Sequence, residues 1–397
     1  MILYDNIHGY IDVDPIATTI IDTPVFQRLR SIHQTGVLYM VYPTANHSRF
    51  EHSIGTYHLA KMMIRNIAIK QPELNITEDL IFLVSIAGLC HDLGHMLFSH
   101  LFDDHFLPKL PNYEELKNTT CNIYHEHRSI VLLKHIVEKY NINISKHQLR
   151  VIGDLINPKD NEYTKWKPYY MVGRWIFQII SNPINSIDVD KFDYIVRDTN
   201  AVGLKFSFDY SRIINDARVI DGKICYSKQC SEDIYHMFFI RYRLHRMIYN
   251  HPTAKAIELM IIRVLFILER DHNISSYIME PEKMIQLVDS YVWHFGDKDI
   301  IDSIYRRKLP SMILQEISLK PCEFNEVDFK EKHPNTNYEI IRFTVGYVGG
   351  KSNPLNHISF YEHNDNKTFY SVCQSTYDYS YLINQKHQEH VLRVYSY

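Results

Sequence analysis

The chain has no CxxC pair: its six cysteines (Cys90, Cys121, Cys225, Cys230, Cys322 and Cys373) are scattered along 397 residues. That excludes a disulfide framework and points to reduced thiols in a cytosolic or nuclear setting. Charge of one sign is also lacking. The 43 Lys and Arg against 46 Asp and Glu leave a formal net charge of −3, so no global basic field draws in nucleic acid or an anionic membrane. Only a local basic pocket remains open to such partners. No apolar run reaches 18 residues, and "MILYDNIHGYIDVD" has no basic segment leading into an apolar one, so neither a membrane span nor a secretory leader is expected. Internal repeats and low-complexity linkers are absent. What remains, at 45% hydrophobic and 22% charged residues, is an ordinary globular composition able to bury a large core.

Helical periodicity dominates the first two thirds. It runs through 46–70, through a segment opening at Thr77, and through 126–140, 170–181, 234–250 and 256–270. "VIDGKICYS" reads as a hairpin around Asp221-Gly222. After about residue 320, "YEIIRFTVGYVGG" and "HISFYEHNDNKTFYSV" alternate apolar and polar residues, with Gly-Gly and Asn-Asp-Asn turn signals. The expected fold is mainly α: a helical catalytic core over 1–270, then a smaller C-terminal lobe, helical then α+β, over 271–397.

The 23 histidines matter through their clustering. "IAGLCHDLGHMLFSH" (86–100) reads as a buried helix, yet it carries His91, Asp92, His95 and His100. Burying such groups without partners costs several kcal/mol. Capping and hydrogen bonds absorb one or two of them in most folds; four in ten positions call for more. His52 in "RFEHS" and Asp188 and Asp190 in "IDVDKFDYIVRD" supply further ligands. Imidazoles and carboxylates from three segments suit Fe, Mn, Zn, Ni or Mg. Such an ion polarises phosphoryl oxygens and acidifies water.

The order His…His-Asp…Asp resembles the HD phosphohydrolase superfamily. Longer blocks, "DNIHGYIDVDPIATTIIDTPVFQRLRSIHQTG", "RFEHSIGTYHLA", "IAGLCHDLGHMLFSHLFD", "IDVDKFDYIVRD" and "NHISFY…LRVYSY", resemble the dNTP triphosphohydrolase branch with SAM and HD domains. The likeness runs from about residue 4 to the end, poorest between about 275 and 340, with no counterpart of the SAM module. It implies an HD-domain helical core and hydrolysis of a dNTP to nucleoside and inorganic triphosphate. His52, His91, Asp92 and Asp190 would be the metal ligands, with additional Mg on the substrate phosphates. Water activated at the metal would attack the α-phosphorus. The leaving 5′-oxygen is a poor alkoxide and needs a general acid. The matching residue is His100, oriented by Asp103. His95 and His125 complete the catalytic cluster, with Glu126 beside it; His127 competes with His125 for that role.

Arg49, Lys191 and Arg241 match the phosphate-binding cations. Arg49 lies three residues before His52, hence on the same helix face. Arg241, His245 and Tyr249 form a stripe, followed by Asn250, that also fits a solvated basic helix face. Under the resemblance Tyr249 excludes a 2′-hydroxyl, Gln34 and Asp198 hold the 3′-hydroxyl, and Tyr194 packs on the sugar. Deoxyribose would be preferred, with little discrimination among bases.

The resemblance also implies a homo-oligomer, dimer or tetramer, activated by GTP or dGTP and a dNTP bound between subunits. The guanine-reading positions match Asp22, Gln27 and Arg30, with Arg306 stacking there; Asp22 and Arg30 equally fit a structural ion pair. The phosphate side departs from the pattern. Family cations and amides fall at Met1, Tyr4, Ser227, Gln229 and Pro252, leaving Arg212, His251 and Lys351. Losing cations weakens polyphosphate binding, so altered activation is expected. Two other readings stay open: an HD phosphohydrolase acting on a monophosphate, cyclic or modified nucleotide, and a non-catalytic binder of nucleotides or single-stranded nucleic acid. The retained ligands argue against the second, and the charge makes nucleic acid an unfavoured partner.

Overall fold

The computed structural model describes residues 1–158, 173–205, 208–347, 353–363, 369–373 and 387–397. The core is built around two helices, α1 (Arg49–Lys70) and α2 (Glu78–Cys90), packed along each other. Helix α2 is buried nearly all round, from Leu80 to Cys90, so it must sit inside the bundle. Helices α3 (His125–Lys139) and α4 (Lys146–Ile156) cover α2, and α5 (Val189–Ala201) crosses α1. The starts of these helices are written in side chains: Thr77 accepts from Leu80 N at 3.2 Å, and Ser145 and Gln148 cap α4 reciprocally. Helix α6 (Ser231–Arg243) runs into a π-helical turn, Leu244–Tyr249. Helix α7 (Pro252–His272) then starts on a proline and stops at Asn273, whose φ of 51° is left-handed.

Strands β1 (Ile2–Asp5) and β2 (Gly9–Asp12) form an isolated antiparallel hairpin at the N-terminus. The expected hairpin at Asp221-Gly222 is present as β3 (Arg218–Ile220) and β4 (Lys223–Ser227), both turn residues having positive φ. The C-terminal region contributes β5 (Ser311–Ser318), β6 (Tyr338–Gly346), β7 (Ser359–His363), β8 (Phe369–Cys373) and β9 (Gln388–Ser396). Strand β7 extends the β3–β4 hairpin in parallel with β4, giving the order β3-β4-β7-β8, while β9 lies between β5 and β6. Tyr395 of β9 packs on Ala256 and Leu259 of α7, and Leu392 and Val394 pack on Phe329.

The mainly α architecture with small sheets is as expected, with three local differences. Segment 170–181 is no full helix: its described part holds only a 3-10 turn, Arg174–Gln178. Its run Trp175, Ile176, Phe177, Ile179, Ile180 is buried on every side, so apolar content there carried no periodicity. Strand β5 precedes the expected boundary near 320, because a register shift between Met312 and Leu314 breaks its alternation. The β1–β2 hairpin had no strand pattern long enough to see. The Gly-Gly and Asn-Asp-Asn turns lie outside the described residues. No described helix is long and apolar enough to cross a membrane.

Candidate functional site

Residues 91–99 are not helical. Helix α2 ends at Cys90, and the chain then coils through tight turns in which Phe98 and Ser99 take φ of 53° and 56°. Two successive non-glycine residues in the left-handed region are strained, and side chains from elsewhere hold them. Asp289 accepts from Phe98 N at 2.6 Å, and Ser99 Oγ donates to His33 O at 3.1 Å. Arg28 donates to His95 O at 2.9 Å and to Leu93 O; Arg128 Nε donates to Gly94 O at 2.8 Å; Ser129 Oγ donates to His91 O at 2.6 Å. Irregular buried backbone needs its carbonyls satisfied, and two buried arginines do most of that here.

This coil supplies two of the four expected ligands, His91 and Asp92, and sets them beside His52 of α1 and Asp190 of α5. His52 Nδ1 donates to Asp193 Oδ2 at 2.7 Å and His91 Nδ1 donates to Gly88 O at 2.8 Å. Their Nε2 lone pairs therefore face carboxylates: Asp190 Oδ1 lies 3.0 Å from His52 Nε2 and 3.4 Å from His91 Nε2, and Asp92 lies 3.4 Å from each. Neither Nε2 makes a hydrogen bond of good geometry. Buried imidazoles opposed to buried carboxylates call for positive charge between them, a proton or a metal ion, and the donor set of His52, His91 and Asp190 fits a divalent metal. The same cage acts on protons. Burial works against a charged His52, but Asp190, Asp193 and Asp92 lift its pKa to about 10. Burial would raise Asp190, yet His52 and His91 hold it well below the carboxylate range. Asp188, the other carboxylate of its motif, is instead the cap of α5, accepting from Lys191 N at 3.1 Å.

Beside the cage, His95 stacks on His125 with ring centroids 4.0 Å apart. Burial, Arg49 and His125 push His95 well below its ordinary value; at His125 burial is outweighed by Asp103 and Glu126, which raise it. Stacked imidazoles driven in opposite directions can divide donor and acceptor roles. Asp103 does not orient His100. It is bound by Arg128 Nη2 at 2.5 Å and faces His125 Nδ1 at 3.6 Å, whereas His100, at the exposed mouth, pairs with Asp104 at 3.1 Å. The expected His100–Asp103 pair is thus replaced, because Arg128 takes that carboxylate to secure the coil.

A cavity of about 650 Å³ opens from the cage. Gln34, Arg49, Tyr194, Asp198, Arg241, His245, Tyr249 and Asn250 all line it, as do His91, Asp92, His95, His100, His125 and Asp190. Arg49 bridges Asp92 Oδ2 (2.5 Å) and Ser99 Oγ (3.0 Å). Arg241 donates to Tyr194 Oη at 3.0 Å and to the carbonyls of Gly346 and Tyr347 at the end of β6, so its stripe is no solvated helix face. Lys191 is turned to Asp188 at 3.0 Å and is not among the lining residues. Asn250 donates to His245 O at 2.8 Å.

The activator positions are spread over the surface. Asp22 and Arg30 form no ion pair: Arg30 donates to Gln27 Oε1 at 2.9 Å and stacks on Phe50 at 3.5 Å. Arg212 pairs with Asp233 (3.2 Å), Arg306 with Asp302 (2.7 Å), and His251 caps α7 by accepting from Thr253 N. Lys351 lies outside the described residues.

Several residues that build the site were not singled out from the sequence: Arg28, Arg128, Ser129, Asp193, Asp289 and the Lys255–Glu258 pair on the cavity wall (2.7 Å). Only Asp193 left a signal, three residues after Asp190 and so on the same face of α5.

The HD domain model matches residues 49–167. The chain is 31% identical to the putative HD domain-containing protein L394 of Acanthamoeba polyphaga mimivirus, over 98% of this chain and 91% of that one. It is 31% identical to the deoxynucleoside triphosphate triphosphohydrolase SAMHD1 of Homo sapiens, over 99% of this chain and 70% of that one. The SAMHD1 homolog of Dictyostelium discoideum is also 31% identical, over 99% and 77%.

Proposed function

Because the chain belongs to the HD-domain deoxynucleoside triphosphate triphosphohydrolase family, we propose that it hydrolyses a dNTP to deoxynucleoside and inorganic triphosphate. The observation that carries this reading is the opposed lone pairs of His52 and His91 against Asp92 and Asp190, at the floor of a nucleotide-sized cavity. A divalent cation held by these four residues would polarise a phosphoryl oxygen and acidify a water. Arg49 and Arg241, which line the cavity, bind the phosphates, with Lys191 held on Asp188. His100, aligned by Asp104, protonates the leaving 5′-oxygen at the cavity mouth. His125, with Asp103 behind it, and His95 hold the reacting phosphate and the proton inventory beside it. Tyr249, Asp198 and Gln34 receive the sugar, and Tyr194 packs against it.

Activation differs from the family pattern in this reading. Asp22, Gln27 and Arg30 match the guanine-reading positions, while the depleted phosphate side leaves activity independent of any activating nucleotide, GTP included. The chain works as a homo-oligomer. The test is incubation with each dNTP and NTP plus Mn²⁺ or Mg²⁺, with and without GTP, and chromatographic separation of the products. Deoxynucleoside plus triphosphate without GTP is the expected result. The same products only with GTP would overturn the ungated part, and no triphosphate from any dNTP would transfer the site to another HD substrate.

A further inference from the structure

The N-terminal hairpin reaches the metal cage from behind. Asp193, which fixes His52, is buried and accepts four hydrogen bonds: from His52 Nδ1 (2.7 Å), from Arg197 Nε and Nη2 (2.9 Å each), and from His8 Nε2 (2.6 Å). Space for it is made by Gly55 of α1, where a Cβ would lie 1.8 Å from Asp193 Oδ1. His8 stands in the turn between β1 and β2, its side chain fully buried, and its Nδ1 meets Tyr210 Oη at 2.7 Å. With the Nε2 proton committed to Asp193, Nδ1 accepts from that tyrosine. The turn is tied a second time through Asp5. One of its oxygens accepts from Ile7 N and His8 N, and the other from Arg197 Nη1 at 2.9 Å.

We propose that His8 is a positioning residue for the metal site and that the β1–β2 hairpin thereby governs how tightly the metal is retained; this rests on His52 being a ligand. A ligating imidazole is useful only in one tautomer and one orientation, and the carboxylate on its far nitrogen sets both. Asp193 can do so only while its own oxygens are fixed. Oδ2 is shared by His52 and Arg197; Oδ1 is shared by Arg197 and His8. Removing the His8 donor leaves Asp193 free to swing towards Arg197, and His52 loses its fixed Nδ1 acceptor.

The experiment measures metal dissociation constants of the full chain by chelator competition, with circular dichroism and Tm recorded alongside. His8→Leu should bind metal about 10- to 100-fold more weakly, the range for lost outer partners of a ligand. His8→Gln, which keeps an N–H near the Nε2 position, should restore most of the affinity. Wild-type affinity in His8→Leu would overturn the proposal, and so would His8→Gln as weak as His8→Leu, since His8 would then only fill space. Should His8→Leu not fold, Tyr210→Phe carries the test: it loosens His8 without touching Asp193, and unchanged affinity there overturns the proposal. Wild-type protein that binds no metal, or His52→Ala that binds it undiminished, would instead remove the metal-site reading beneath it.

Discussion

Asp198 accepts the Tyr249 hydroxyl at 2.5 Å on one oxygen and His47 Nε2 at 2.7 Å on the other. The tyrosine ring is thereby braced across the cavity, with His245 edge-on at 4.9 Å. In the proposed reading the braced ring excludes a ribose hydroxyl by volume, and sterics of this kind are worth roughly 10- to 100-fold. Tyr249→Ala should therefore raise relative NTP turnover, lowering the dNTP/NTP ratio of kcat/KM by that factor. Tyr249→Phe keeps the ring and should keep the discrimination. Equal loss in both variants would mean that the hydroxyl, not the ring, carries selectivity.

The proposed metal ligands should separate in stability although the proposed chemistry needs them together. His91→Ala and Asp92→Ala are both expected to lose bound metal and triphosphate release. Asp92 is also the buried partner of Arg49 at 2.5 Å. Removing it strands a buried guanidinium, a defect of about 3–5 kcal/mol, whereas His91→Ala leaves that pair intact. Metal analysis and denaturant titration of the two variants check this. Triphosphate release that survives His91→Ala would sink the ligand assignment.

Legibility in the sequence followed chemistry that is local. The helices over 49–70 and 125–139 were visible through the spacing of their apolar residues, and the one over 78–90 through its capping residue Thr77. His52, His91, Asp92 and Asp190 could be picked out as candidate ligands because their motifs are short. The coil at 91–99 reads as helix in the sequence, since its apolar residues are buried by tertiary contacts that no period encodes. Its supports were invisible for the same reason: Asp289 reaches Phe98 across 191 positions and Arg28 reaches His95 across 67. The substitution of Asp104 for Asp103 beside His100 turns on Arg128, which sequence proximity alone does not connect to either.

Gly94 offers a test of how closely that coil is fitted. A Cβ on Gly94 would lie 2.1 Å from His125 O and 2.4 Å from Ser129 N, both backbone atoms at the start of α3. Neither can yield without moving His125 or the Ser129 hydroxyl that secures His91 O. Gly94→Ala should cost about 1–3 kcal/mol as an overpacking defect and reduce kcat far more than KM, because it displaces reacting groups and not the sugar wall. Thermal unfolding and steady-state kinetics of that variant check both parts.

Acid–base behaviour should appear at His33, away from the proposed metal ligands. Its Nδ1 pairs with Asp289 at 2.7 Å and its Nε2 with Asn46 Oδ1 at 2.9 Å, with Tyr39 stacked at 4.4 Å and the charge of Glu51 nearby. Burial lowers its pKa, but Asp289 outweighs burial and the net shift is upward from 6.5. A raised folded value means that the unfolded chain loses this proton first as pH rises. The stabilisation is therefore fully present below about 6.5 and is lost as pH climbs through the folded value. The loss reaches the site, because the same Asp289 accepts from Phe98 N. Denaturant titrations of wild type and His33→Gln between pH 5.5 and 8.5 should show a stability difference that is largest at the acid end and shrinks above neutrality. A difference constant with pH would mean that His33 is held neutral and that Asp289 secures the coil without it.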